Sequence, residues 1–200
     1  MFDFFIFLFF FYFCLFSVLG YGFFFQKIIY SNFNKKINII ELSLNGFYGL
    51  TLITFISFIT SYFFPHNYTH NLILHLFGFL YFLSSSGIKN TRYIKYLLLI
   101  SLIVLSSLFI SKTHDDFSYY HFPFTKYLTE HHVIFGVGHL NLGYNLLSST
   151  FFLNSTFYLP VINYFSFHFT TLYFLIFFNF FLIENLFFKK NQKIIRYLCF

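Results

Sequence analysis

The sequence predicts an all-α integral membrane protein with about five transmembrane helices and one long outer loop containing interfacial helices. Three observations carry this. Only 9% of the 200 residues are charged and the mean hydropathy is +0.71, against roughly 25% charged residues in a soluble domain. The apolar residues fall into runs approaching the roughly 20 residues that a helix needs to cross hydrocarbon. The lysines and arginines are shared very unequally between alternate loops.

Residues 4–25 form an uncharged apolar run and predict the first span. Asp3 is the one charge before it, so the basic segment that opens a cleaved signal peptide is missing. Residues 26–46 are polar, with Lys27, Lys35 and Lys36. Residues 47–64 predict the second span, and Pro65 to His70 a tight polar turn. The third, residues 71–86, is short and carries His75. The fourth covers residues 93–111 and includes half-buried tyrosines at its start. A loop over residues 112–159 follows, and residues 160–188 predict a fifth span opened by Pro160, a favourable first helical position. The whole reads as one polytopic domain.

Ten of the twelve lysines and arginines fall in the loops 26–46, 87–95 and 189–200; the other set of loops holds only Lys112 and Lys126. The positive-inside rule therefore puts the C-terminus in the cytoplasm and the N-terminus and the long loop outside. The basic excess sets orientation, and no nucleic-acid partner is expected. Forty phenylalanines and no alanine point to an AT-rich genome, bacterial or organellar, using Phe as lipid-facing filler. The expected location is a bacterial inner membrane, with the mitochondrial inner membrane as the alternative. Cys14 and Cys199 lie too far apart in this topology to form a disulfide framework.

The long loop carries the candidate chemistry. It holds His114-Asp115-Asp116, Glu130 and five of the nine histidines. Adjacent carboxylates near a bilayer raise each other's pKa, an arrangement suited to a general base or a divalent-cation site. Their plainer reading is a helix start at the interface. Phe117, Tyr120, Phe124, Tyr127 and Leu128 recur at helical spacing, which predicts an interfacial helix with these side chains as membrane anchors and Ser118, His121 and Lys126 on its polar side. Ser148 or Ser149 is placed to cap a short helix through Phe151–Leu153. His75 and His168 lie in two spans near the outer face, as haem ligands would; interhelical hydrogen bonding is the simpler role for them.

The segment Asp115-Asp116-Phe117-Ser118-Tyr119-Tyr120-His121-Phe122-Pro123, with Tyr127-Leu128 and Phe135-Gly136-Val137-Gly138-His139-Leu140-Asn141, resembles uncharacterised multi-span envelope proteins of AT-rich bacteria. These in turn look like GT-C-type glycosyltransferases. The resemblance implies sugar transfer from a polyprenyl-phosphate-linked donor in envelope polysaccharide assembly. It makes Asp115 and Asp116 the catalytic base or the ligands of a divalent cation, and gives His114, His121, His139 and Asn141 substrate-binding roles. In GT-C enzymes the acidic pair follows the first span, whereas here it follows the fourth. Five spans are also fewer than that module uses, so either the sequence is part of a longer protein or the enzyme analogy fails. Two further classes fit the composition. One is a non-catalytic structural subunit of a respiratory or envelope membrane complex. The other is a transporter, against which the sparse intramembrane charge, essentially Glu184, argues.

Overall fold

The computed structural model describes residues 2–31, 42–85, 91–109, 115–139, 141–145 and 148–185. Helix α1 covers Phe2–Ser31, α2 Leu42–Thr60, α3 Tyr68–Ser84, α4 Thr91–Leu105, α5 Phe122–Glu130, α6 Ser149–Thr156 and α7 Phe169–Ile183. A π-helical turn, Phe117–His121, leads into α5, and short 3-10 turns extend α4 and precede α7. Among the described residues there is no strand, only an isolated bridge between Leu159 and Asn163.

Three helical segments are long and apolar enough to cross a membrane: Asp3–Ile29, Leu42–Thr60 and Tyr164–Ile183. Helix α3, with 17 residues, is about 25 Å long at 1.5 Å per residue, less than the roughly 30 Å hydrocarbon thickness. The apolar part of α4 and its 3-10 extension, Tyr93–Leu108, is also shorter than those three, and the predicted end of that span at residues 110–111 lies outside the described residues. The predicted second span starts earlier than expected, at Leu42, and ends at Thr60.

The predicted fifth span is corrected at its start. Pro160 begins no helix. It sits in a turn in which Val161 (φ 69°) and Asn163 (φ 48°) have left-handed backbone, a conformation incompatible with continuing a right-handed helix. The Ile162 amide donates to Pro160 O, and Asn163 N to Leu159 O. Helical structure starts only at Tyr164.

Helix α1 is the centre of the bundle. It packs on α2 and α3, Tyr173 of α7 donates to Phe11 O at 2.8 Å, and Ser101 of α4 meets the Tyr12 hydroxyl at 3.3 Å. Its close neighbours are admitted by glycine. A Cβ on Gly20 would stand 1.8 Å from Gly78 O of α3, and one on Gly49 of α2 would stand 1.8 Å from Val18 O. Small residues at such crossings let backbones approach, the usual route to van der Waals packing where hydrocarbon supplies no drive between helices.

The pattern of α3 is inverted relative to a soluble helix. Asn71 and His75 are buried, while Ile73, Leu76, Phe77, Leu80 and Leu83 are exposed. At the far end of the bundle the buried Glu184 carboxylate accepts from the Leu42 and Ser43 amides and from the Ser43 hydroxyl. It satisfies two of the amides that open α2 and ties that helix start to the end of α7.

Candidate functional site: a pocket under the long loop

The long loop, expected to hold interfacial helices, packs against the bundle. Helix α6 packs on α2, and Ser155, Thr156 and Phe157 at its end are fully buried. Ser148 is its N-cap, accepting from Thr150 N, as the sequence predicted. Helix α5 departs from the membrane-anchor reading. Phe124 and Leu128 are 1% exposed and pack with Val133, Val137, Phe151 and Phe152 in a second hydrophobic cluster. The short helix thus spends its apolar face on α6. Its C-terminal end and the residues just after it are tied to the α2–α3 connection by His66 N to Leu128 O and Val133 N to Ser61 O.

What holds the loop in place is a buried polar cluster. Asn71 Nδ2 lies 2.8 Å from each of three carbonyls, those of His66, Ser155 and Tyr158. Three acceptors around one nitrogen define which amide atom is which. His66 Nδ1 meets Ser155 Oγ at 2.6 Å and its Nε2 meets Thr60 Oγ1 at 3.1 Å. Ser155 already donates to Phe152 O, so His66 Nδ1 donates to it, and Nε2 shares the Thr60 hydroxyl proton with Ser57 O. His75 is the opposite tautomer: Nε2 donates to Thr156 O, leaving Nδ1 to accept from Ser17 Oγ. Both imidazoles are therefore fully used as neutral helix-to-loop connectors.

That arrangement overturns the haem-type pairing. His75 has no free nitrogen, and His168 is exposed and stacks on Phe117 with ring centroids 6.0 Å apart. Among the described residues no group of three His, Cys, Asp or Glu side chains converges on one point. Asp115 and Asp116 supply two adjacent carboxylates at the start of the segment that leads into α5.

Burial, and secondarily the stacked His70 ring, pushes the His66 pKa from 6.5 down to about 3. The folded state thus excludes a proton that the unfolded chain accepts below pH 6.5. Stability is full above that pH and falls as pH drops from about 6.5 toward about 3, by up to roughly 1.4 kcal/mol per unit. The purified protein should melt at a lower temperature at pH 5 than at pH 7.5. His66→Gln should be less stable at pH 7.5 but show a flatter pH dependence; an equally steep slope in the variant would assign the effect to another group.

Between the π-turn, α5, α6 and the start of α7 lies a cavity of about 600 Å³. Phe117, Phe122, Phe151 and Phe167 supply ring walls; His121, Asn154, His168 and Thr170 are among its polar lining. Among the described residues, no Asp, Glu, Lys or Arg lines it. His121 packs against Phe151 at 5.1 Å and edge-on to Tyr120 at 4.3 Å. Two lining residues keep a buried polar atom with no hydrogen-bond partner, Asn154 Oδ1 and Thr170 Oγ1. Buried polar atoms are paired in the great majority of cases, so these two unmet atoms beside the cavity make it the candidate site.

The residues expected from the sequence are divided by this geometry. His121 lines the cavity. Asp115 is exposed and Asp116 half-buried; they immediately precede Phe117 in the π-turn but do not line the cavity. His139 is exposed at the end of a 3-10 turn. Asn141 is occupied locally, its Oδ1 accepting from Gly143 N at 2.8 Å. His114 lies outside the described residues. Asn154, Thr170 and Thr171 were not anticipated as a site. Their one signal in the sequence is polarity at the edges of apolar segments, where Asn and Thr ordinarily hydrogen-bond across helices.

Comparison with curated proteins and with solved structures finds no match. A family model does match, over residues 4–200. By that match the chain belongs to the family of the domain of unknown function DUF8201.

Proposed function

We propose that this is a multi-pass membrane protein of the bacterial inner membrane that transfers a sugar from a polyprenyl-phosphate-linked donor during envelope polysaccharide assembly. The glycosyl group occupies the cavity between α5, α6 and α7, and Asp115 or Asp116 acts as the base on the incoming hydroxyl. The observation that carries the reading is the cavity's make-up: ring walls flanking amide, hydroxyl and imidazole groups, two of them with unmet polar atoms. Aromatic faces with a few convergent polar groups suit a compact polar ligand. The exposed apolar side chains of α3, together with those of α2 and α7, supply the lipid-facing surface. The N-terminus and the long loop face outward, by the basic-residue asymmetry.

The test is made in cells lacking the gene and in cells carrying Asp115→Asn/Asp116→Asn. Surface polysaccharide should lack one sugar in both, with the lipid-linked donor accumulating. An unchanged profile in the deletion strain sinks the enzyme reading.

A second reading, a non-catalytic subunit of a membrane complex, is favoured by Phe135, 94% exposed, and Leu142, 81% exposed, both outside the long apolar helices. It predicts that the aspartate variants behave as wild type while Phe135→Ser/Leu142→Ser weakens co-purification of partner chains.

A further inference from the structure

We infer that the turn at residues 133–137, together with Phe63 and Phe64 just beyond α2, is a lipid anchor that seats the long loop at the hydrocarbon boundary of the bilayer. The inference rests on the membrane-spanning part of the reading above and is independent of sugar transfer. Val133 and Val137 are buried in the second hydrophobic cluster, so both flanks of the turn are fixed. Between them Ile134 is 54% exposed and Phe135 94% exposed. Val137 N donates to Ile134 O, and Gly136 has a φ of 87°, a left-handed position that favours glycine. The chain therefore reverses directly after Phe135 and holds that ring outward on a fixed backbone.

Continuity and height both indicate that lipid covers this tip. The exposed strip Phe55, Phe58 and Ile59 of α2 continues past Thr60 into exposed Phe63 and Phe64. Tyr62 joins the strip to the tip, with its ring centroid 5.3 Å from that of Phe58 and 6.4 Å from that of Phe135. Apolar patches of this continuous kind mark contact surfaces. Val133 N donates to Ser61 O at 2.7 Å, which sets the level of the turn. Helix α2 has 19 residues, about 28 Å at 1.5 Å per residue, against a hydrocarbon thickness of about 30 Å. With Leu42 at one boundary, Ser61 and the turn bonded to it reach the other. Polar groups suited to the headgroup zone precede the tip: the Lys126–Glu130 ion pair at 3.7 Å and exposed His131 and His132. Because α5 leads into this turn and carries Phe122 and Thr125 in the cavity lining, the anchor holds that wall where a lipid-borne ligand presents its headgroup.

The chain contains no tryptophan, so single substitutions make unambiguous depth reporters. Phe135→Trp, Ile134→Trp and Phe77→Trp are placed in the full chain in phosphatidylcholine nanodiscs, with bromine either near the headgroup end of the acyl chains or deep within them. All three positions are exposed, and Phe77, 67% exposed near the middle of α3, is the reference for deep lipid. Phe77→Trp should lose most emission to the deep bromines. Phe135→Trp and Ile134→Trp should emit to the blue of tryptophan in water and lose more emission to the shallow bromines than to the deep ones.

Emission at the aqueous maximum with no bromolipid quenching at both tip positions, while Phe77→Trp is quenched, overturns the anchor and leaves the spans standing. Blue-shifted emission that neither bromolipid quenches also overturns it, and assigns the tip to a protein contact. Absence of quenching at all three positions removes the membrane reading itself. The sugar-transfer reading stands or falls separately, on the polysaccharide profile of the deletion strain.

Discussion

Gly49→Ala should abolish the native packing of α1 on α2. The added Cβ would stand 1.8 Å from Val18 O and 2.7 Å from Val18 C, both backbone atoms of the neighbouring helix. No rotamer relieves a clash between a Cβ and a main chain, so the helices must separate. Overpacking in a well-packed core costs about 1–3 kcal/mol and occasionally more, and this contact belongs at or above the upper end. Separation also loosens the helix on which α3, α4 and α7 are assembled. The measurement is a thermal melt of the detergent-purified protein beside Leu76→Ala, a change on a 49% exposed side chain. Gly49→Ala should lose most of its monodisperse, cooperatively melting fraction and Leu76→Ala very little. Equal melting temperatures for the two would mean that close helix approach is dispensable.

Asn71→Leu should detach the loop from the bundle. The amide serves the carbonyls of His66, Ser155 and Tyr158; leucine of similar size leaves those of His66 and Tyr158 without it, while Ser155 O keeps the Tyr158 amide. Each unmet buried group costs about 1–3 kcal/mol, so a total loss of about 2 kcal/mol or more is expected. Because these carbonyls lie on the α2–α3 connection and at the end of α6, the consequence reaches the cavity. Amide exchange or limited proteolysis should rise selectively across residues 148–163 before the helices of the bundle open. Uniform destabilisation, with no local opening, would refute the view of Asn71 as the loop's fastener. Asn71→Asp should be at least as damaging, since a carboxylate would face two of the same carbonyls as a repelled acceptor.

The helical character and the main apolar segments were legible in the sequence because lipid-facing surface is written into composition and run length. Phe4, Phe5, Phe55 and Phe178 need no partner to be interpreted. The Ser148 cap was legible for a similar reason: a cap depends on two or three neighbouring residues. The start of the last helix was not. Pro160 is a good opening residue, but the left-handed turn at Val161 and Asn163 overrides it, held by the Tyr68 hydroxyl donating to Asn163 Oδ1 from another helix. Nor was the role of α5, whose aromatic stripe fits a membrane surface or a protein partner equally well by periodicity. The presence of Phe151 and Phe152 about 25 residues onward decides it.

The candidate site divides along the same line. His121 stood out as a polar residue in an aromatic helix, and it does line the cavity. His75 and His168 suggested a facing pair, yet each is committed to other neighbours, Ser17 and Thr156 for one and Phe117 for the other. Asn154, Thr170 and the cluster around Asn71 carried almost no signal, since a hydrogen bond across 84 residues leaves no spacing in the chain.

What the sequence by itself determined is the class of protein: an α-helical chain with segments apolar enough for a bilayer and a polar loop rich in histidine. Those properties are sums over local residues, and each residue contributes whatever its distant neighbours do. What only the tertiary structure decided is where the polar side chains end their hydrogen bonds. A buried amide or imidazole is structural when its partners are met, as at Asn71, His66 and His75. It becomes a candidate for binding when they are not, as at Asn154 and Thr170. That distinction is set by which carbonyl or hydroxyl folding brings within about 3 Å, a property of the assembled bundle and of no single stretch of chain.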